Sequence, residues 1–166
     1  MNEMNGVRVH CIDTSALVKL FVKEPESERV IAYLGQHGVL SVTAITFSEV
    51  LGVLKSKWHR EELTQEKYLA ASEELAVSVS GGSIQIDDSV SLTERKTFDK
   101  AEMLCKKYTL DLADALQLVA MKDGFFSGLA GESKPIMITA DGALASAAKN
   151  EGLRVWNCRE TNEPEC

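Results

Sequence analysis

Four acids stand out by type and setting: Asp13, Glu49, Asp114 and Asp141. Asp13 ends the run Val7-Arg8-Val9-His10-Cys11-Ile12, whose β-branched members favour a buried strand. Asp141 follows a second apolar run, Pro135-Ile136-Met137-Ile138-Thr139. Asp114 lies near the start of the almost wholly apolar stretch from Leu110 to Ala120. At helical spacing Glu49 has Ile45, Thr46, Gly52 and Val53 as neighbours, all apolar or small. In open α/β sheets ligands bind at the carboxyl ends of the strands. Carboxylates gathered there repel one another, and a hard divalent cation, which prefers oxygen ligands, sustains such a cluster. Water bound to that cation can attack a phosphodiester. Each acid also has a plain structural reading. Asp13 can cap a helix, Asp111 and Asp114 can form a capping box, and Glu49 can be half of a buried salt bridge.

The elements that would position these acids alternate along the chain. Further strands are expected at 39–42, 84–86 and 153–156, and helices at 15–21, 25–35, 43–60, 89–108 and 143–150. A polar helix begins around Glu61, Glu62 and Glu66 and packs through Tyr68, Leu69, Leu75 and Ala76. Another opens near Leu110. Lys122 to Pro135, with Gly124, Phe125, Phe126, Gly128 and Gly131, reads as an irregular excursion. Strands alternating with helices predict right-handed crossovers and a parallel sheet covered on both faces. One domain is expected over 1–157, followed by a frayed tail over 158–166.

At 166 residues and 45% hydrophobic, the chain suits one domain with a real core. No apolar run approaches the roughly 20 residues of a membrane span, and Met1 to Gly6 lacks a leader pattern. The four cysteines, Cys11, Cys105, Cys158 and Cys166, form no C-x-x-C pair. A soluble, cytoplasmic protein with reduced thiols is the expectation. His10, His37 and His59 have no ligand spacing. The net charge of −7 opposes a general nucleic-acid coating surface. A nucleic-acid substrate would need bound metal and a local basic patch. Lys19, Lys55, Lys57 and Arg60 are the candidates for phosphate contacts, because they share segments with Asp13 and Glu49.

Asp13-Thr14-Ser15-Ala16-Leu17-Val18-Lys19-Leu20, followed by Glu-Pro-Glu-Ser-Glu at 24–28, resembles the opening of PIN-domain proteins, above all the VapC-like toxin ribonucleases. Ser48-Glu49-Val50, Asp114-Ala115-Leu116-Gln117-Leu118 and Thr139-Ala140-Asp141 resemble the later motifs of that family in the same order. The resemblance spans about residues 8 to 157. It implies a three-layer α/β/α sandwich around a parallel sheet and an endoribonuclease dependent on Mg2+ or Mn2+. It carries the acidic site onto Asp13, Glu49, Asp114 and Asp141, with Ser15 and Thr139 as supporting hydroxyls. Many relatives have His where this chain has Gln117. Relatives of the toxin type commonly pair with an antitoxin protein and form homodimers. A PIN-domain nuclease of RNA processing and a non-catalytic metal-binding module are the alternatives. A haloacid-dehalogenase type would want an acid where Ser15 stands, and a phospho-receiver would want an acidic pair before Asp13.

Overall fold

The computed structural model describes residues 8–35 and 38–162. Val7, His37 and Cys166 lie outside the described residues. Strands β1 (Val9–Ile12), β2 (Val39–Thr43), β3 (Ile84–Asp87), β4 (Ile136–Thr139) and β5 (Arg154–Asn157) form one sheet. Every pairing is parallel and the order is β3-β2-β1-β4-β5. The chain winds outward from β1 through β2 to β3, then returns to the other flank of β1 with β4. The direction of winding therefore reverses between β1 and β4. Such a switch point opens a crevice at the carboxyl ends of the two strands.

Helices α1 (Thr14–Leu17), α2 (Ser27–Leu34), α3 (Ala44–His59) and α4 (Gln65–Ser80) cover one face. There Val30, Val50, Leu54 and Leu75 pack on Ile12, Val42, Ile138 and Trp156. Helices α5 (Arg95–Tyr108), α6 (Leu112–Asp123) and α7 (Gly142–Asn150) cover the other, with Leu104, Leu118, Val119 and Leu144 packed against Met137. Neighbouring strand residues point to opposite faces, so Met137 and Ile138 serve different cores. The architecture is the three-layer α/β/α sandwich around a parallel sheet.

Two features depart from the sequence reading. The helix expected over 89–108 begins only at Arg95. Asp87 takes up the preceding residues: its carboxylate accepts the Ser89 amide at 3.0 Å and the Ser89 hydroxyl, closing a turn that cannot continue as helix. The chain also stays packed beyond 157. Cys158 is fully buried, its amide donates to the Thr139 carbonyl at 2.8 Å, and Arg29 donates to its carbonyl at 2.8 Å. The excursion after α6 is anchored at its start, where the Phe125 amide donates to Asp87 at 3.1 Å, and it contains a 3-10 turn at Gly131–Ser133. Behind the helical layer, Glu151 at the end of α7 accepts from Lys107 and Tyr108 of α5 and Lys122 of α6. Those bonds hold its carboxyl down at about 2.

Candidate active site

The helices flanking the switch point start where the acids are needed. Asp13 caps α1, Asp111 caps α6 and Asp141 caps α7, each in extended backbone with its carboxylate accepting helix amides. Asp141 alone accepts from both Ala143 and Leu144, at 2.7 and 3.0 Å. The capping reading and the site reading of Asp13 and Asp141 are therefore not alternatives. Capping holds negative charge at the positive ends of helices, and that offsets part of the repulsion created by gathering the acids.

These acids line one open cleft of about 480 Å³. Asp13, Glu49, Asp111, Asp114 and Asp141 all face it, with Thr14, Ser15, the α3 residues Gly52, Val53 and Ser56, and Arg60 just past the end of α3 completing the wall. All four sequence-selected acids meet there. Asp111 is the fifth, and its only signal in the sequence was its capping position.

Asp13 is the most enclosed of them, 3% exposed. Its Oδ2 accepts from the Ser15 hydroxyl at 2.5 Å, the Thr139 hydroxyl at 2.9 Å and the Ser15 amide at 3.2 Å. Its Oδ1 accepts from the Gln117 amide at 3.0 Å. Ser15 and Thr139 are held in turn, because the Ser15 Oγ accepts the Ala140 amide and the Thr139 Oγ1 accepts the Asp141 amide, both at 2.9 Å. The two hydroxyls thus tie the end of β1 to the end of β4. The bond from Gln117 to Asp13 depends on how α6 lies across the end of β1, which the residue types at 117 and 13 do not show by themselves.

Asp114 sits on the first turn of α6, half-buried, facing the same cleft. Desolvation pushes its carboxyl up to about 7, and Asp13, Asp111, Asp141 and Glu49 add to the push. Burial also raises Glu49, with Asp111 and Asp13 adding to it against the hydrogen bond from Thr14. Among the described residues the partner of Glu49 is that hydroxyl, which donates to Oε2 at 2.7 Å, and not the cation that a buried salt bridge would require. Glu49→Gln is therefore expected to melt at or above the wild-type temperature in EDTA, because an amide oxygen still accepts from Thr14 while one crowded charge is gone. Wild type should gain about 2.7 kcal/mol from metal at a hundredfold excess over its dissociation constant, and the variant less. Strong destabilisation in EDTA combined with a full metal shift would remove Glu49 from the acid cluster.

The donor set is oxygen throughout, which suits a hard divalent cation. Burial raises the Asp114 carboxyl to about 7, and the four neighbouring acids that add to the rise form a cluster whose charges call for a counter-ion. Among the described residues no three His, Cys, Asp or Glu side chains already stand as a metal-holding group. Magnesium takes only one or two carboxylates directly and keeps its waters, so the residues present fit it.

The basic candidates divide. Lys19 is 6% exposed and engaged by Glu24 at 3.3 Å, Glu26 at 3.2 Å and the Pro25 carbonyl at 2.9 Å. Lys57 is clasped by Glu24 at 2.6 Å and Glu62 at 3.2 Å. The acids of the Glu-Pro-Glu-Ser-Glu segment thus hold both lysines in an ion-pair network. Lys55 is exposed, and Arg60 lines the cleft while its Nε pairs with Glu62 at 2.9 Å.

The model of the PIN-domain family matches residues 10–150. The chain belongs to the PIN-domain family. This PIN domain is also similar in fold to the crystal structure of PAE2754 from Pyrobaculum aerophilum, with a TM-score of 0.56 and 21% identity. The alignment covers 90% of this chain and 89% of that one. No curated protein matches. PIN domains are generally nucleases that use divalent metals, so the acid-lined cleft sits on a nuclease fold. Among the described residues no helix of this PIN domain is long and apolar enough to cross a membrane.

Proposed function

We propose that this PIN domain is an endoribonuclease dependent on Mg2+ or Mn2+, acting as the cytoplasmic toxin of a toxin–antitoxin pair. The observation that carries the nuclease reading is the meeting of five acids in one cleft at the switch point, with the Asp114 carboxyl raised to about 7 by burial and, after it, by the other acids. Asp13, Asp114 and Asp141 would hold the ion directly or through its waters. The ion would supply Lewis acidity at the phosphoryl group and a lowered pKa for bound water. Glu49, half-buried and with its carboxyl raised, orients the attacking water and accepts its proton, a role favoured by a pKa moved toward the working pH. Ser15 and Thr139 keep Asp13 in place. Arg60 at the cleft wall and Lys55 on the exposed face of α3 are the phosphate contacts, while Lys19 and Lys57 hold the scaffold. The toxin role, the antitoxin partner and a homodimer rest on the likeness of the Asp13–Leu20, Ser48–Val50, Asp114–Leu118 and Thr139–Asp141 motifs to the VapC-like members.

The test is cleavage of end-labelled single-stranded RNA by the full chain. Magnesium or manganese should support cutting, EDTA should abolish it, and added metal should restore it. Cleavage that persists in EDTA would overturn the metal role. Manganese binding without cleavage of any RNA offered would favour the interaction-module alternative.

A further inference from the structure

We propose that Gln117 is the positioning residue for Asp13, holding its carboxylate so that one lone pair of Oδ1 remains for the cleft; this rests on the metal-site reading above. The carboxylate has about four lone-pair sites. Three donors crowd Oδ2: the Ser15 hydroxyl, the Ser15 amide and the Thr139 hydroxyl. One donor, the Gln117 Nε2 at 3.0 Å, reaches Oδ1. Oδ1 is therefore the oxygen left to offer a cation, and Gln117 is the group that fixes its direction.

The placement of Gln117 on its helix adds to this. Asp114 and Gln117 are three residues apart, on the same side of α6. The first repels Asp13 and the second binds it. Gln117 is 5% exposed, so its amide is shielded from the water that would weaken the bond. It is neutral, so it orients Asp13 without cancelling its charge, which an Arg or Lys at the same place would do. Gln117 also borders a small pocket shared with Thr43 and Asp87. A carboxylate at 117 would meet acids on two sides, whereas an amide is tolerated on both.

The experiment compares wild type, Gln117→Leu and Gln117→His as full chains. Leucine keeps the volume and removes the donor. A neutral imidazole at pH 8 reaches as far and restores one N–H. The readouts are the Mn2+ dissociation constant by calorimetry, melting in EDTA, and kcat against KM on RNA. Gln117→Leu should bind Mn2+ about 10–100-fold more weakly, the usual effect of losing a partner that orients a metal ligand. Its kcat should fall in step, its KM for RNA should hold, and its melting in EDTA should stay near wild type. Gln117→His should recover most of the Mn2+ affinity. Wild-type affinity in Gln117→Leu overturns the proposal, as does equal loss in both variants with lowered melting, which marks a packing role. Absence of Mn2+ binding in wild type overturns the metal-site reading and this inference with it.

Discussion

In EDTA at pH 8, Asp114→Asn is expected to melt above the wild-type chain, while with metal its RNA cleavage falls about a hundredfold, some 2.7 kcal/mol of barrier. Both effects come from one placement. Asp114 is half-buried among Asp13, Asp111, Asp141 and Glu49, and its carboxyl is raised from 3.8 to about 7. A group that binds its proton more tightly in the folded chain than in the unfolded one penalises folding once it ionises. The penalty is absent below pH 4, grows as pH rises from there to 7, and stays constant above. The metal-free wild type should therefore gain stability as pH falls from 8 to 5. Asp114→Asn removes that dependence. At pH 8 the amide should be worth on the order of 1–2 kcal/mol, or about 2–4 °C per kcal/mol in a chain of this size. Saturating metal reverses the ranking, because only wild type can use it. Thermal melts at pH 5 and pH 8, with EDTA and with manganese, read all four terms. A variant that melts below wild type at pH 8 in EDTA would show that the Asp114 carboxylate supports the fold and is not a burden on the metal-free chain.

Gly124→Ala is expected to be the most destabilising methyl that can be added at any described glycine of α6 or the excursion that follows it. A Cβ there would stand 2.3 Å from the Ala120 carbonyl oxygen and 2.5 Å from the Asp87 Oδ2. The first is backbone and cannot retreat without unwinding the last turn of α6, whose final bond runs from the Gly124 amide to that oxygen at 2.7 Å. The second is the carboxylate that closes the Ser89 turn and anchors Phe125. Overpacking of this kind costs about 2–3 kcal/mol, so a drop in Tm of roughly 5–10 °C is expected. Gly128→Ala, where a Cβ meets nothing within 4 Å, is the control and should melt with wild type. Equal melting of the two variants would mean that the excursion yields easily and that Asp87 does not pin it.

The strands, and the acids that end them, were readable because both are local patterns. An apolar β-branched run followed by Asp and a helix start identifies the end of a parallel strand without reference to any other part of the chain. Glu49 was readable because an acid among Ile45, Gly52 and Val53 breaks a helical period. What escaped was set by contacts between distant segments. Lys19 and Lys57 look alike in sequence to any exposed basic residue, and only the fold brings Glu24 between them. Gln117 is one polar residue in an apolar helix until α6 crosses the end of β1, 104 residues earlier in the chain. The packing of Cys158 has the same origin, because it is bound by Arg29 from far along the chain. The delayed start of α5 is local: Asp87 closes a turn on Ser89 that a helical reading of 89–108 passes over.

The double duty of the acids bears on how such a chain could change over evolutionary time. Asp13 and Asp141 hold helix starts whether or not any reaction takes place. A descendant that had lost its activity would still be under pressure to keep them, since replacing a capping Asp costs about 1 kcal/mol. Glu49 and Asp114 cap nothing, and in the metal-free chain they are a burden. Once cleavage ceased to matter, those two would be the first to drift, and stability would improve as they went. In descendants of this fold the presence of Glu49 and Asp114 is thus the better sign that selection still acts on chemistry, whereas Asp13 and Asp141 can outlast it.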